Sequence, residues 1–326
     1  MRKIFKDIET LIKDAQSILI SAHIDPDGDS LGTQLALRRY LIGLDKKVRI
    51  INQGPIPGKY KFLPDIEEVK SINGYDSDEK FDLAVILECR DVERTGEVKN
   101  LLNGSTKIIN IDHHPDNTGY GNVACLDDKA SAVAEILTEY FLEIKHDMDA
   151  DAATQLYTAI LTDTGRFRFN STSRRTMEIA GRLIELGADP RHISDSVYYS
   201  LDESTMRLIG KVFSRMEFYD SGRICLIAID NEMIRTTDFN SADTEGMAEY
   251  TLFGKRVQAG GLLREMRPGH TKVSLRSRVQ FNVGALAHRY GGGGHKNASG
   301  FHIDLPLDAA LEQVLNDLKE VVNDAV

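Results

Sequence analysis

Residues 17–44, SILISAHIDPDGDSLGTQLALRRYLIGL, decide how the rest of the chain is read. Residues 17–22 form a short apolar run that suits a buried strand, and 30–44 space their apolar side chains at helical intervals. Between them lies His23-Ile24-Asp25-Pro26-Asp27-Gly28-Asp29-Ser30. A strand, an acidic turn and a helix open a βαβ unit, and sites form at the carboxyl edge of such a parallel sheet. Three carboxylates and an imidazole this close repel one another unless something positive sits among them. The turn therefore reads as a divalent-metal site. Gly28 is expected to allow a tight turn from which Asp27 and Asp29 both aim inward. The competing reading gives Asp29 to a helix cap and Asp25-Pro26 to a plain turn.

Working outward, strand-like runs at 47–52, 83–87 (LAVIL) and 107–111 (KIINI) alternate with helical patterns, the last at 130–144. This alternation predicts an α/β fold with a mainly parallel sheet flanked by helices. The chain then turns helical at 150–162, 174–186 and 204–216, with a stop at Gly187-Ala188-Asp189-Pro190. A second pattern follows: a strand at 223–229, the pair Gly260-Gly261, a strand at 272–277, a helix at 283–290, four glycines and a helix at 307–322. The expected organisation is a metal-binding domain over 1–190, a helical linker over 191–217 and a smaller α/β domain over 218–326.

The 326 residues carry 40 Lys+Arg against 50 Asp+Glu, a net charge of −10 that argues against coating long duplex nucleic acid. The charge is uneven, since residues 255–296 hold nine basic residues and one acid. An acidic body with one basic segment fits a protein that holds cations in one place and an anion in another. No apolar run approaches the roughly 18 residues of a membrane span, and the charged start is not a signal peptide. Three scattered cysteines without a CxxC pair predict neither a disulfide framework nor a zinc ribbon, so a cytoplasmic setting is expected.

Three more motifs carry chemistry. Asp112-His113-His114-Pro115 follows KIINI directly. Neighbouring histidines on a loop point in different directions, so one can bind metal while the other faces substrate. Glu88 ends LAVIL, where an unpaired carboxylate would be costly. Its bland reading is a salt bridge to Arg90 or Arg94. Asp163 lies in Leu161-Thr162-Asp163-Thr164-Gly165, at the end of a helical run.

In this order, HxxxDxD, an acid after a strand, DHH and a late DTG resemble the DHH phosphoesterases. Ser274-Leu275-Arg276-Ser277, followed by residues 291–300 (GGGGHKNASG), is similar to their accessory domain, DHHA1. Length and motifs together look like the small nanoRNase and pAp-phosphatase branch. The resemblance implies one metal held by His23, Asp27 and Glu88, and a second held by Asp29, Glu88, His113 and Asp163. It places His114 beside the scissile phosphate and counts His113, His114 and Asp163 as catalytic, while Asp25 is a spacer. Glu88 departs from the pattern, because the family usually has Asp there.

Two divalent ions about 3.5–4 Å apart suit phosphoester hydrolysis. Oxygen and imidazole ligands without thiolate favour Mn²⁺, with Mg²⁺ or Co²⁺ as alternatives. The resemblance also implies substrate binding by Arg276, Gly292, Gly293, Gly294 and His295. There the glycine N–H groups would form an anion nest, and the cleft between domains would act as a ruler. The implied substrates are short RNA, linear dinucleotides such as pApA, and 3′-phosphoadenosine 5′-phosphate (pAp), with no membrane partner; a homodimer is compatible with this. The rival readings are a manganese pyrophosphatase, a cyclic-dinucleotide phosphodiesterase and a non-catalytic nucleotide sensor. Tyr250, Phe253 and Tyr290 are candidates for base stacking, and Arg166 and Arg168 for phosphate contact.

Overall fold

Short β-branched apolar runs become strands where both of their faces can be covered. The computed structural model describes residues 2–75, 79–237, 244 and 246–323. The chain divides into two units, Met1–Ser200 and Leu201–Val326. In chain order the first holds α1 (Lys3–Asp14), β1 (Ser17–Ser21), α2 (Gly28–Ile42), β2 (Lys47–Asn52), β3 (Val69–Ser71), β4 (Leu83–Leu87), β5 (Lys107–Asp112), β6 (Val123–Leu126), α3 (Val133–Glu143), α4 (Ala150–Asp163), α5 (Arg174–Glu185) and α6 (Pro190–Tyr198).

Among the described residues, these six strands make one parallel sheet in the order β3-β2-β1-β4-β5-β6. Strand β4 is buried throughout, as expected for LAVIL. The strand order reverses between β1 and β4, and in such sheets a crevice opens beyond the carboxyl ends at that point. His23 follows β1 and Glu88 follows β4, so both lie at the switch point.

Helix α2 is buried along its whole first part, from Gly28 to Leu37, because it packs on the sheet and on α4. Small residues make this possible. A Cβ on Gly32 would lie 2.3 Å from the Gln155 carbonyl oxygen and 3.0 Å from Ala159 Cβ. Gly28 does not make the tight turn expected of it. It is the first helical residue of α2, and a Cβ there would lie 2.3 Å from Thr162 Oγ1. Its missing side chain lets the start of α2 meet the end of α4, which brings Asp29 towards Asp163. Gly32→Ala should destabilise the protein by about 1–3 kcal/mol, because the clash is with backbone and outweighs the helix propensity gained. Urea unfolding tests this, and an unchanged or raised midpoint would contradict the packing argument.

Residues 3–14, for which the sequence reading gave no element, form a helix because Phe5, Ile8 and Ile12 repeat on one buried face amid the charges. Helix α3 starts at Val133 rather than at residue 130, because Ala132 is extended (φ −164°).

The second unit holds α7 (Glu203–Ser214), β7 (Glu217–Tyr219), β8 (Ile224–Ile229), α8 (Asn231–Thr236), β9 (Ala259–Arg267), β10 (His270–Ser277), α9 (Val283–Arg289), β11 (Gly293–His295), β12 (Ala298–Ile303) and α10 (Leu307–Asn323). The division at Ser200 puts α6 in the first unit and α7 in the second. Its sheet runs β11-β12-β10-β9-β8-β7, with β8 and β9 parallel and the other pairs antiparallel. Leu226, Leu263, Val273, Leu275 and Phe301 share a core with Val314 and Leu318 of α10. Strand β9 runs straight through Gly260-Gly261, since Gly260 lies against Thr251 and a side chain there would collide with it. No helix among the described residues is long and apolar enough to cross a membrane.

Candidate metal centre

The turn after β1 and the end of β4 build one side of the site. His23 Nδ1 donates to the Ile24 carbonyl at 2.8 Å, so in the neutral ring Nε2 carries the lone pair. That Nε2 lies 3.7 Å from Glu88 Oε2 and 3.8 Å from Asp27 Oδ2. Ser30 Oγ donates to Glu88 Oε2 at 2.5 Å and sits 3.1 Å from His23 Nε2. Asp27 caps α2, accepting from Ser30 N at 3.0 Å. Glu88 itself has φ of 55°, in the left-handed region that side-chain-bearing residues seldom adopt. Its N–H donates to Ile111 O at 3.0 Å, which helps hold this conformation.

The other side comes from α2, the loop after β5 and the end of α4. Asp29 is fully buried in the first turn of α2. Its carboxylate accepts from Val133 N at 2.6 Å and Ala134 N at 3.0 Å, the first two residues of α3. His113 Nδ1 donates to Ala130 O at 3.1 Å, and its Nε2 faces Asp163 Oδ2 at 3.4 Å. Ligand-capable atoms of His23, Asp27 and Glu88 all lie within 4.8 Å of one another, and so do those of Asp29, Glu88 and His113. Glu88 belongs to both clusters.

So many buried carboxylates cannot all be charged without compensation. Burial, then the Asp163 charge, pushes the Asp29 carboxyl up to about 8. Burial and the neighbouring Asp27, Asp29 and Asp163 raise Glu88 well above the carboxylate range. Burial opposes a proton on His113, but the Asp163 and Asp29 charges outweigh it and raise its pKa. His23 is raised likewise, against burial, by Asp27. Burial also works against Asp27, yet His23 and the Ser30 N–H hold it below the ordinary carboxylate value. In the metal-free protein, protons thus stand where cations would neutralise the cluster. The donors are carboxylate oxygen and imidazole nitrogen, which fits a divalent first-row ion or Mg²⁺. The adjacent Cys89 thiol is buried and pushed well up, which disfavours the thiolate a metal would need.

Residues 17–160 match the family model described as DHH family, N-terminal domain, and residues 228–326 match that of the DHHA1 domain. The chain is 32% identical over 305 residues to the bifunctional oligoribonuclease and PAP phosphatase NrnA of Thermus thermophilus, covering 93% of this chain and 89% of that one. It is 31% identical over 301 residues to a probable protein of the same name from Streptococcus mutans, covering 91% and 92%. The chain belongs to the DHH family. Among solved structures, an exopolyphosphatase-related protein from Bacteroides fragilis matches with a TM-score of 0.90 at 27% identity, over 98% of both chains.

The aspartate of the DHH motif itself, Asp112, organises the loop rather than joining either cluster. It is fully buried and accepts from His113 N (2.8 Å), His114 N (3.2 Å), His114 Nδ1 (2.8 Å) and Asn117 Nδ2 (2.7 Å). His114 is thereby oriented beside His113, with ring centroids 5.1 Å apart. The sequence shows Asp112 within DHH and Ser30 beside Asp29 but not their roles in the site, and Asn117 carries no signal in the sequence. Arg90 does not neutralise Glu88; it pairs with Asp91 and Asp116.

In the second unit the register aligns Arg276 and His295 with the same residue, Ala298, from opposite sides. Side chains in one cross-strand row share a face of the sheet, so Arg276 and His295 project together. The glycine run leads into the hairpin of β11 and β12. A Cβ on Gly292 would lie 2.2 Å from Gly300 O, and one on Gly294 2.6 Å from Ala298 O. Gly293 pairs with Gly300. Tyr290 stacks on Phe301 at 4.4 Å and donates to Asp317, which commits it to the domain core. Tyr250 stacks on Phe213, whereas Phe253 stays mostly exposed. The Arg166 guanidinium lies over the Tyr198 ring and that of Arg168 over Phe169.

Proposed function

We propose that this chain is a two-metal phosphoesterase. It hydrolyses short oligoribonucleotides and linear dinucleotides to nucleoside 5′-monophosphates, and it converts pAp to AMP. The observation that carries this reading is the place of Glu88 in both ligand clusters. The names of the Thermus and Streptococcus relatives support the substrate class. His23, Asp27 and Glu88 would hold one ion, and Asp29, Glu88, His113 and Asp163 the other, with Mn²⁺ favoured over Mg²⁺ or Co²⁺. When bound, the ions would acidify water and neutralise the phosphoryl oxygens.

The chain's own residues do the rest. Asp112 accepts from His114 Nδ1 and fixes the ring, so Nε2 is the atom that would meet a phosphoryl oxygen. Ser30 holds Glu88 in place by its hydrogen bond. Arg276 and His295 would bind a phosphate of the nucleotide by charge-assisted hydrogen bonds, with Gly292, Gly293 and Gly294 shaping the hairpin beside them. A reducing, cytoplasmic setting agrees with three buried free cysteines.

Hydrolysis of pAp, pApA and a five-nucleotide RNA is measured side by side with Mn²⁺ and with chelator. Mn²⁺-dependent release of mononucleotides is expected. Binding without turnover would replace this reading with a nucleotide sensor, and turnover of pyrophosphate alone with a pyrophosphatase. His295→Ala should raise KM for pApA by about tenfold or more, a loss of roughly 1.4 kcal/mol of binding. Turnover of a small artificial phosphoester should change little. Equal losses on both would remove the separate substrate-binding role.

A further inference from the structure

We propose that Arg175 and Glu135 are positioning residues for the metal centre, acting through the segment 127–135; this rests on the metal assignment above. That segment carries backbone groups that aim two of the assigned ligands. Ala130 O receives the His113 Nδ1 proton, and Val133 N and Ala134 N grip the Asp29 carboxylate. A one-residue shift in this backbone would rotate His113 and release Asp29 together.

One arginine clasps both ends of the segment. Arg175 Nη1 lies 2.6 Å from Asp127 Oδ2, and its Nε lies 3.0 Å from Glu135 Oε1. It also bonds Glu139 through Nε at 2.6 Å and Nη2 at 2.9 Å. The single Nε hydrogen goes to Glu139, so Glu135 Oε1 meets the guanidinium as an ion pair rather than a hydrogen bond; the planar fork can still hold all three carboxylates at once, whereas an ammonium cannot. Glu135 is fully buried, as the third residue of α3. Its Oε2 accepts from Ser131 Oγ at 2.6 Å, Ser131 N at 3.3 Å and Thr176 Oγ1 at 2.8 Å. This side chain therefore reaches back past the N-cap, Ala132, to Ser131, one residue further than in a capping box.

Asp29 serves the first two N–H groups of α3. The start of α3 is thus capped by an assigned ligand, while Glu135 ties the preceding Ser131 to the same turn. A buried carboxylate, a three-way arginine and two hydroxyls make an expensive cluster for a helix that could be capped by one serine. Its geometry instead fixes the backbone behind His113 and Asp29. Partners of this kind typically change metal affinity by about 10–100-fold when removed.

The test is Mn²⁺ binding by the full chain, read from the electron paramagnetic resonance of free Mn²⁺, with unfolding midpoints recorded alongside. Glu135→Gln is expected to weaken Mn²⁺ binding at least about tenfold. Turnover should recover substantially when Mn²⁺ is raised to saturation. Arg175→Met leaves Glu135 buried without its cation, so the double variant Glu135→Gln/Arg175→Met, which removes both charges, is measured beside it. It should bind Mn²⁺ at least as weakly as Glu135→Gln. Arg175→Lys should be intermediate. Arg49→Met, which breaks the exposed pair with Glu79 in the same unit, should leave Mn²⁺ affinity at the wild-type value. Folded Glu135→Gln or double variant with wild-type Mn²⁺ affinity would overturn the positioning role. Failure of the wild-type protein itself to bind Mn²⁺ would instead overturn the metal assignment.

Discussion

Glu88→Gln abolishes hydrolysis while leaving the metal-free protein at least as stable as the wild type. The reason lies in its shared position. The carboxylate lies within 4.8 Å of ligand-capable atoms of His23 and Asp27 on one side and of Asp29 and His113 on the other. An amide of the same shape still accepts from Ser30 Oγ, but it cannot neutralise two ions. Loss of a mere supporting partner costs up to about 100-fold in metal affinity or activity, so loss of a shared ligand should exceed about 100-fold in turnover. Stability moves the other way. In the metal-free protein, burial and three nearby aspartates hold Glu88 against ionising, and an amide removes that conflict. The measurements are turnover of pApA, bound Mn²⁺ per chain, and the unfolding midpoint in chelator at pH 8. A variant that binds two ions and turns over within a few-fold of wild type would refute the assignment of Glu88.

Saturating Mn²⁺ raises the unfolding temperature of the protein strongly at pH 8 and weakly at pH 5.5. At about one hundred times Kd, each site adds roughly 2.7 kcal/mol, or about 5 kcal/mol for two. For a unit of this size that corresponds to roughly 10–20 °C. The pH dependence follows from the direction of the shifts. Asp29 is raised from 3.8 to about 8, so the stability its neutral form lends is whole below pH 4 and is lost as pH rises through 8. Glu88, His23 and His113 are also raised and act in the same sense. The metal-free protein should therefore melt at lower temperature as pH goes from 5.5 to 8. Metal binding needs these same groups deprotonated, so the Mn²⁺ effect grows over that interval. Calorimetry with and without chelator at the two pH values checks both slopes. An Mn²⁺ effect absent at pH 8, or larger at pH 5.5, would contradict the site.

Glu135 and Arg175 carry no motif in the sequence, since each looks like an ordinary charged residue on a helix. Their burial and mutual distance exist only once α3 and α5 pack. Asp112 was visible within DHH, but its use as a four-bond acceptor for its own loop was not. The four glycines were read for their N–H groups, as an anion nest; what their composition did not show is that the hairpin of β11 and β12 makes Gly292 and Gly294 points of close backbone approach.

The sequence by itself determined the α/β alternation, the ends of β1, β4 and β5, and the ligand-type residues that follow them. Hydrophobic period and strand length are local properties, and in parallel sheets chemistry collects at strand ends. What only the tertiary structure decided was which of those residues meet. The reversal of strand order between β1 and β4 sets His23 beside Glu88, and the missing side chains of Gly28 and Gly32 let α4 bring Asp163 to His113. Such meetings depend on distances between segments remote in the chain, which no local pattern encodes.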